Sequence, residues 1–283
     1  MLNFPIVDTH LHVWDPEEIH YPWLPDVPVL NRAYLLSDYR EATEGIDIGK
    51  MVFLQCEADF EQFQKEADWV SSLAKEDPRI AGIVAWAPLE KGEGARDALT
   101  TLTKDPLVKG IRRIIQFEED MEFCLKPDFV KGVQLLPEFG LSFDICIAHP
   151  HMANTIKMVE QCPDVSFILD HIGKPDIKNQ LMDPWKDELK TLAAFPNVMC
   201  KMSGLVVEAD MENWTAADLK PYVDTVIETF GWDRVMFGGD WPVVVQASTY
   251  KRWFETLNEL LSGESEENLK KLFSDNAHRF YRL

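Results

Sequence analysis

Two histidines separated by one residue are the first chemically informative feature of this chain. His10 and His12 lie in the apolar stretch VDTHLHV, together with Asp8. In a β-strand, residues two apart point to the same side, so these three side chains would share a face. Neighbouring buried imidazoles are costly unless a partner keeps them neutral, and a divalent cation is the usual partner. The pair predicts half of a metal site for zinc or manganese, with Asp8 as a deeper structural partner.

Asp240 is a second candidate, at the end of the apolar run RVMFGGDWPV. Gly238 and Gly239 leave the backbone before it open to close approach, and Pro242 stops the strand soon after it. A carboxylate at this position would face the same reaction chamber as the histidine pair. We therefore expect Asp240 to be a metal ligand and the general base of a hydrolytic reaction.

Histidines also end two other apolar runs. His171 in LDHIGKP would be a third metal ligand or would polarise a substrate carbonyl, whereas Asp170 would point to the opposite side of the strand. His149 and His151 flank Pro150 in AHPHM, and the spacing does not say which of them points inward. We take His149 as a candidate for substrate binding.

Two cationic and two uncharged side chains complete the candidate set. Alternation places only one of Arg112 and Arg113 inside the site, and the inward one, taken as Arg112, would clamp a carboxylate or an oxyanion. Lys201 lies at the end of another run and would bind substrate or stabilise an oxyanion. Gln55 and Trp86 end two earlier runs, and we expect both to contact the substrate.

The elements that must position these residues are eight short apolar runs separated by helical or loop segments. Most runs are nearly continuous in Val, Ile, Leu and Phe, which is typical of parallel strands covered by helices. No linker or repeat divides residues 1–283. The pattern predicts an α/β fold, a single-domain (β/α)8 (TIM) barrel, with a doubly wound open sheet as the alternative. The runs are FPIVDTHLHVW, KMVFLQCEA, IAGIVAWAPL, VKGIRRII, LSFDICIAH, VSFILDHIG, NVMCKMSGL and RVMFGGDWPV.

Two long connections would cover the mouth of such a barrel. Residues 15–32 contain four prolines, so we expect a stiff aromatic loop in which Trp23 stacks on a substrate ring. Residues 206–215 are rich in acidic side chains and would form a second lid. Ser248 and Ser265 are the expected N-caps of the helices TYKRWFETLNELL and EENLKKLF.

The composition argues against several classes of function. The chain has 48 acidic and 28 basic residues, and its net charge of −20 would repel nucleic acid and anionic membrane surfaces. No apolar run reaches the roughly 18 residues of a membrane span, and the first residues lack a secretion signal, so we expect a cytoplasmic protein. Five scattered cysteines without a CxxC motif predict reduced, buried thiols. The expected partner is a small molecule, and a homo-oligomer stays open.

Taken together, the motifs resemble one known family. VDTHLHVWDP, LDHIGKP, KMSGL and FGGDWPV resemble the lactonase branch of the amidohydrolase superfamily, which includes sugar-acid lactonases and pyrone-dicarboxylate lactonases. Weaker matches such as YPWL, KGIRR and LSFDICI extend the likeness from residue 6 to the terminal NAHRFYRL. The resemblance implies a distorted (β/α)8 barrel that hydrolyses an ester bond in a ring.

The resemblance also bears on the cofactor. Two-metal members of the wider superfamily carry a bridging lysine or glutamate on the fourth strand, whereas this chain has Arg112 and Arg113 there. We therefore expect one divalent ion, held by His10 and His12 with His171 and Asp240 as further ligands. Some members of this branch work without metal, so metal-independent activity stays open.

The functional hypothesis is hydrolysis of a lactone, with a neutral sugar (aldono)lactone as the first choice. Asp240 would deprotonate the attacking water and return the proton to the departing ring oxygen. The strand-end histidines would polarise the carbonyl, and Arg112 or Lys201 would stabilise the oxyanion. Two alternatives stay open, namely a metal-dependent decarboxylase of an aromatic or unsaturated carboxylic acid and a barrel without catalytic activity.

Overall fold

The computed structural model describes residues 2–283, and within them eight parallel strands form one sheet in the order β1 to β8. All eight predicted runs contain a strand. The strand order follows the chain order, so the doubly wound alternative is wrong and the (β/α)8 barrel is confirmed. The strands are Ile6–Leu11 (β1), Ile48–Leu54 (β2), Ile80–Ala85 (β3), Val108–Ile114 (β4), Ser142–Cys146 (β5), Phe167–Leu169 (β6), Val198–Met202 (β7) and Val235–Phe237 (β8).

The barrel closes where the segment after β8 meets the end of β1. Backbone hydrogen bonds join His12 N to Trp241 O at 2.7 Å and Asp240 N to His10 O at 2.9 Å. Leu11 and Trp241 form a parallel bridge at the same junction. Closure brings the carboxyl ends of all strands to one mouth, where the sites of such barrels lie.

Helices lie between consecutive strands, so most strand residues are buried. A large apolar core includes residues from strands and helices. A smaller apolar cluster combines residues of six strands with Ala277 and Tyr281 near the C-terminus. The α-helices are Leu36–Ala42 (α1), Phe63–Glu76 (α2), Arg96–Leu102 (α3), Pro127–Leu135 (α4), Met152–Glu160 (α5), Trp185–Ala193 (α6), Leu205–Glu208 (α7), Ala216–Phe230 (α8), Tyr250–Leu260 (α9), Glu266–Lys270 (α10) and Asn276–Tyr281 (α11).

The two N-cap predictions have different outcomes. Ser265 caps α10, since its hydroxyl accepts a hydrogen bond from Asn268 N at 3.2 Å. The prediction of Ser248 is wrong by one residue: Thr249 caps α9 and accepts from Arg252 N at 3.1 Å. Helix α9 begins at Tyr250, and the capping hydroxyl must stand directly before the first helical residue.

The predicted state of the cysteines is confirmed, because all five thiols are buried and free. Burial also raises the pKa of the Cys146 thiol to about 11, which makes it a poor nucleophile at neutral pH. Among residues 2–283, no helix has both the length and the apolar character that crossing a bilayer requires.

Candidate active site

A cavity of about 540 Å³ opens at the carboxyl ends of the strands. Five of the predicted site residues line it, namely His12, Trp23, Arg112, His171 and Asp240. Both predicted lid segments also contribute to its wall. Residues 15–32 supply Trp23, Asp26, Val27 and Leu30, and residues 206–215 supply Val207, Glu208 and Met211.

His10 and His12 approach the site from β1, but Asp8 does not share their face. The Asp8 carboxylate accepts hydrogen bonds from Tyr39 of α1 at 2.9 Å and from Gly239 N at 2.8 Å, so it points toward the helix layer. The predicted common face is wrong because the β1–β2 register shifts after Asp8, which breaks the alternation of the strand. Asp8 thus joins β1 to the segment after β8 instead of entering the cavity.

The turn after β6 directs two neighbouring side chains inward. His171 has left-handed backbone there, with φ of +52°. This turn interrupts the alternation, so the prediction that Asp170 faces away is wrong: its carboxylate lies 3.2 Å from Arg112 Nη1 and 3.0 Å from Lys201 Nζ. Ser203 Oγ lies 2.9 Å from His171 Nδ1 and holds the imidazole in place.

Asp240 also follows its strand in a left-handed turn, with φ of +53°. Gly238 lets this turn approach β1 closely, since a Cβ at that position would lie 2.7 Å from His10 Cβ. Burial raises the pKa of the Asp240 carboxyl to about 8, although the positive charges of Lys174 and Arg112 oppose the rise. The carboxyl group is therefore able to exchange a proton near neutral pH.

Three imidazoles surround the Asp240 carboxylate without forming hydrogen bonds to it. Oδ1 lies 3.6 Å from His10 Nε2 and 3.8 Å from His12 Nε2. Oδ2 lies 3.9 Å from His171 Nδ1. Burial lowers the pKa of His12 to about 3 and those of His10 and His171 well below the usual value. The imidazoles are therefore neutral at pH 7.

Hydrogen bonds determine which ring nitrogen carries the hydrogen in two of the imidazoles. His12 Nδ1 donates to Leu54 O at 2.8 Å, which leaves a lone pair on Nε2 beside the carboxylate. Arg112 Nη1 donates to His10 Nε2 at 3.1 Å, so the ring hydrogen of His10 lies on Nδ1. That nitrogen has no hydrogen-bond partner and lies 3.6 Å from Asp170 Oδ1.

The donor atoms fit a divalent cation. His10, His12 and Asp240 each offer one ligand atom, and the three atoms lie within 4.8 Å of one another. Zinc–nitrogen bonds of about 2.0 Å put ligand atoms of one ion roughly 3.3 Å apart, close to the 3.6 and 3.8 Å observed between Asp240 and the two imidazoles. Two imidazoles and one carboxylate suit zinc or manganese. A cation would replace the hydrogen bond from Arg112 to His10.

Of the two candidate arginines, Arg112 lines the cavity and Arg113 does not. Arg112 also donates to Gln55 O. Arg113 pairs with Glu118 and lies 3.6 Å from Glu90 Oε2, outside the cavity. The two arginines therefore follow the alternation expected of β4.

Trp23 and His149, two of the substrate-binding candidates, lie in different cavities. Trp23 lines the 540 Å³ cavity, and its indole donates to Cys56 O at 2.7 Å. His149 instead lines a neighbouring cavity of about 730 Å³. His151 is buried beside it, and its Nδ1 lies 3.2 Å from Ala148 O.

Three further candidates do not line the 540 Å³ cavity. The Gln55 amide donates to Glu57 at 2.7 Å and stays beneath the surface. Lys201 is fully buried, and ion pairs engage its ammonium. The Trp86 ring packs against Phe60 at 5.0 Å and against Phe63 of α2 at 5.2 Å between centroids. Residue type and run position alone gave no means of separating these three from the cavity residues.

Lys174 is a cavity residue that the sequence analysis missed. It lines both cavities and stands three residues after His171 in the motif LDHIGKP, so the motif itself held the signal. Glu57 and Glu208 also line the 540 Å³ cavity. Burial raises the pKa of each of these carboxyls, and Lys174 opposes the rise at Glu208.

Comparison with known proteins assigns the family. The family model described as amidohydrolase matches residues 7–283. The chain belongs to the amidohydrolase family. An L-fucono-1,5-lactonase of Burkholderia multivorans is 31% identical over 269 residues, 88% of each chain. An L-rhamnono-gamma-lactonase of Scheffersomyces stipitis is 22% identical and aligns over 100% of both chains.

This amidohydrolase also resembles a solved structure over nearly its whole length. A crystal structure of an amidohydrolase from Burkholderia multivorans with bound zinc has a TM-score of 0.89 and 28% sequence identity, and the match covers 99% of this chain and 100% of that chain. The predicted enzyme class and barrel fold are thus confirmed.

Proposed function

We propose that this amidohydrolase is a lactonase that opens the ring ester of a sugar lactone. The observation that carries the proposal is a buried carboxylate, Asp240, which faces neutral imidazoles at the base of a cavity and is left without a hydrogen-bonded partner. The names of the two curated relatives support a sugar lactone as substrate.

Lactone hydrolysis needs an activated water, a polarised carbonyl and a proton for the departing ring oxygen. Asp240 serves as general base: it takes a proton from water and then returns it to the ring oxygen. With its pKa raised to about 8 by burial, the carboxylate is a stronger base than an exposed aspartate. One residue thus supplies both proton transfers.

The imidazoles shape the site around Asp240. Because its Nδ1 donates to Leu54 O, His12 presents only a lone pair to the cavity. Ser203 holds His171 on the other side of the carboxylate. His10, His12 and Asp240 would hold a zinc or manganese ion, which would supply a Lewis acid for the lactone carbonyl.

The sequence predicted that Arg112 or Lys201 would stabilise the oxyanion, and the two residues have different roles in the proposed site. Arg112 lines the cavity and places positive charge at its base, while its terminal nitrogens hold His10 and Asp170. Lys201 is engaged by Asp144 and Asp170 below the cavity, so it supports Arg112 and Asp170 without reaching a substrate.

The cavity suits a monosaccharide lactone in size and surface. Its volume of about 540 Å³ falls in the range of small-molecule sites. Trp14 and Trp23 both line it and pack edge to face with ring centroids 5.4 Å apart. Aromatic surfaces of this kind bind the apolar faces of sugar rings, and the glutamates nearby accept hydrogen bonds from hydroxyl groups.

Proton release from a panel of five- and six-membered aldonolactones tests the proposal. We expect turnover of at least one sugar lactone and formation of the hydroxy acid as the product. Treatment with a chelator followed by addition of zinc or manganese tests the metal arm, with metal content measured in parallel. Failure on every lactone, together with carbon dioxide release from an aromatic acid, would replace the proposal by the decarboxylase alternative.

A further inference from the structure

The turn that follows β6 has an unusual backbone. Four consecutive residues, 171–174, have φ values of +52°, +52°, +79° and +49°. Only Gly173 adopts this region without steric cost, so the other three are strained. Strained residues of this kind persist where their surroundings fix them, and they concentrate at functional sites. Two of the strained side chains, His171 and Lys174, line the 540 Å³ cavity.

The backbone of Lys174 is fixed, whereas its ammonium group is unpaired. Its N–H donates to His171 O at 2.9 Å, and its carbonyl accepts from His149 N at 3.3 Å. Across residues 2–283, no carboxylate forms an ion pair with Lys174, in contrast to Arg112 and Lys201, which both pair with Asp170. A half-buried cation with a fixed backbone and no anionic partner is suited to a negative charge that develops on the substrate.

Lys174 lines the same cavity as the reacting groups His12, His171 and Asp240. Arg112 has its terminal nitrogens bound to protein acceptors, so Lys174 is the cavity-lining cation whose donors are free.

We propose that Lys174 is a catalytic residue that donates a hydrogen bond to the lactone carbonyl oxygen. This inference rests on the proposed lactonase function. As a bond forms between water oxygen and the carbonyl carbon, the carbonyl oxygen becomes an oxyanion beside the ammonium. The carbonyl double bond re-forms as the bond to the ring oxygen breaks, and Asp240 gives that oxygen the proton it took from the water. The carboxylic acid formed in this way releases its remaining proton to solvent, and Lys174, which transfers no proton, ends beside the carboxylate of the hydroxy acid.

Turnover by Lys174→Met and Lys174→Arg tests this role. One well-placed oxyanion donor contributes about 10²–10³-fold in kcat, so we expect a loss of that order for the methionine variant with KM little changed. The arginine variant should recover part of the loss. Lys178→Met is the matched control, because Lys178 lines only the neighbouring cavity, and it should stay within twofold of the wild type.

Product binding provides a readout that a structural role would not change. The hydroxy acid should bind Lys174→Met at least tenfold more weakly than wild type, while the neutral alditol of the same chain should bind both equally. If Lys174→Met does not fold, Lys174→Gln replaces it. Unchanged kcat and unchanged affinity for the hydroxy acid would overturn the assignment.

The same experiments separate this inference from the proposed function. If the wild type turns over lactones and the Lys174 variants match it, the role of Lys174 is wrong and the lactonase function stands. If the wild type opens no lactone, the lactonase function fails, and hydroxy acid binding by wild type and Lys174→Met still decides whether Lys174 binds a carboxylate. If the wild type neither opens a lactone nor binds the hydroxy acid, both the lactonase function and the role of Lys174 are overturned.

Discussion

The barrel contains two buried polar clusters that differ in how far their charged groups are paired. The mouth cluster consists of His10, His12, His171 and Asp240, and the floor cluster consists of Asp144, Asp170, Lys201 and Tyr281. In the floor cluster, Lys201 Nζ lies 2.6 Å from Asp144, and Tyr281 donates to the same carboxylate at 2.6 Å. In the mouth cluster, the carboxylate and the imidazoles stay 3.6–3.9 Å apart. The floor cluster pairs its charges internally and is closed to a ligand, whereas the mouth cluster is open because it leaves the Asp240 carboxylate unpaired.

The pKa values of two buried aspartates express the same difference. Although burial alone would raise it, Lys201 and Arg112 hold the pKa of Asp170 below its usual value. Asp240 has no such ion pair, and burial raises its pKa to about 8. Burial of polar groups therefore does not by itself mark an active site. The mark is a buried group that its neighbours leave unpaired beside a cavity.

Removal of the floor cation should give the largest loss of stability. Lys201→Met leaves Asp144 with an uncompensated buried charge, whereas Asp170 keeps Arg112, and such a loss typically costs about 3–5 kcal/mol of unfolding free energy. Lys220→Met is the matched control, because the exposed Lys220–Asp224 pair should be worth less than about 1 kcal/mol. Urea denaturation of both variants measures the difference. Equal stabilities would show that the floor cluster is not a closed ionic unit.

Glu66 of α2 separates the effect of a buried carboxyl without an ion pair from the effect of a cavity, and its carboxyl accepts a hydrogen bond from Cys56 N at 3.0 Å. It is 2% exposed, has no ion pair among the described residues, and does not line the 540 Å³ cavity. Burial raises its pKa from 4.5 to about 7. The folded state therefore favours the protonated form, and the resulting stability is present below pH 4.5 and lost as pH rises through 7.

The pH dependence of unfolding for Glu66→Gln tests this effect. Between pH 5 and 8, the wild type should lose about 2–3 kcal/mol more unfolding free energy than the variant. Glu255→Gln, on the exposed side of α9, is the control and should follow the wild type. Lactone turnover by Glu66→Gln should stay normal, and a large loss of turnover would place Glu66 within the site.

A smaller effect is expected when the floor cluster loses one hydrogen bond. Tyr281→Phe removes the hydroxyl that donates to Asp144, while Lys201 still compensates the carboxylate. We expect a loss of about 1–2 kcal/mol in unfolding free energy and turnover within twofold of the wild type. A large loss of turnover with unchanged stability would contradict the structural role of this cluster.

The strands and several site residues could be predicted from the sequence because they follow from local patterns. Continuous apolar runs mark buried parallel strands, and polar residues after such runs reach the mouth of a barrel. His12, His171 and Asp240 satisfy this pattern and line the cavity. Arg112 lines it as well, as the alternation of β4 requires.

The rest could not be predicted because it depends on departures from strand geometry and on distant partners. A register shift turns Asp8 toward the helix layer, and a left-handed turn directs His171 inward beside Asp170. The closed state of Lys201 depends on Asp144, a residue 57 positions away that gave no signal of its own in the sequence. Alternation rules describe regular strands, and the decisive residues lie where the strands are irregular.

Ring opening by Asp240→Asn, measured per folded molecule beside the wild type, tests the central claim most directly. If the open mouth cluster is the reaction centre and Asp240 its base, the variant should lose about 10²–10⁴-fold in turnover of the best sugar lactone. Its Tm should not fall, since the substitution removes an unpaired buried carboxyl. Full turnover by the folded variant would contradict the account.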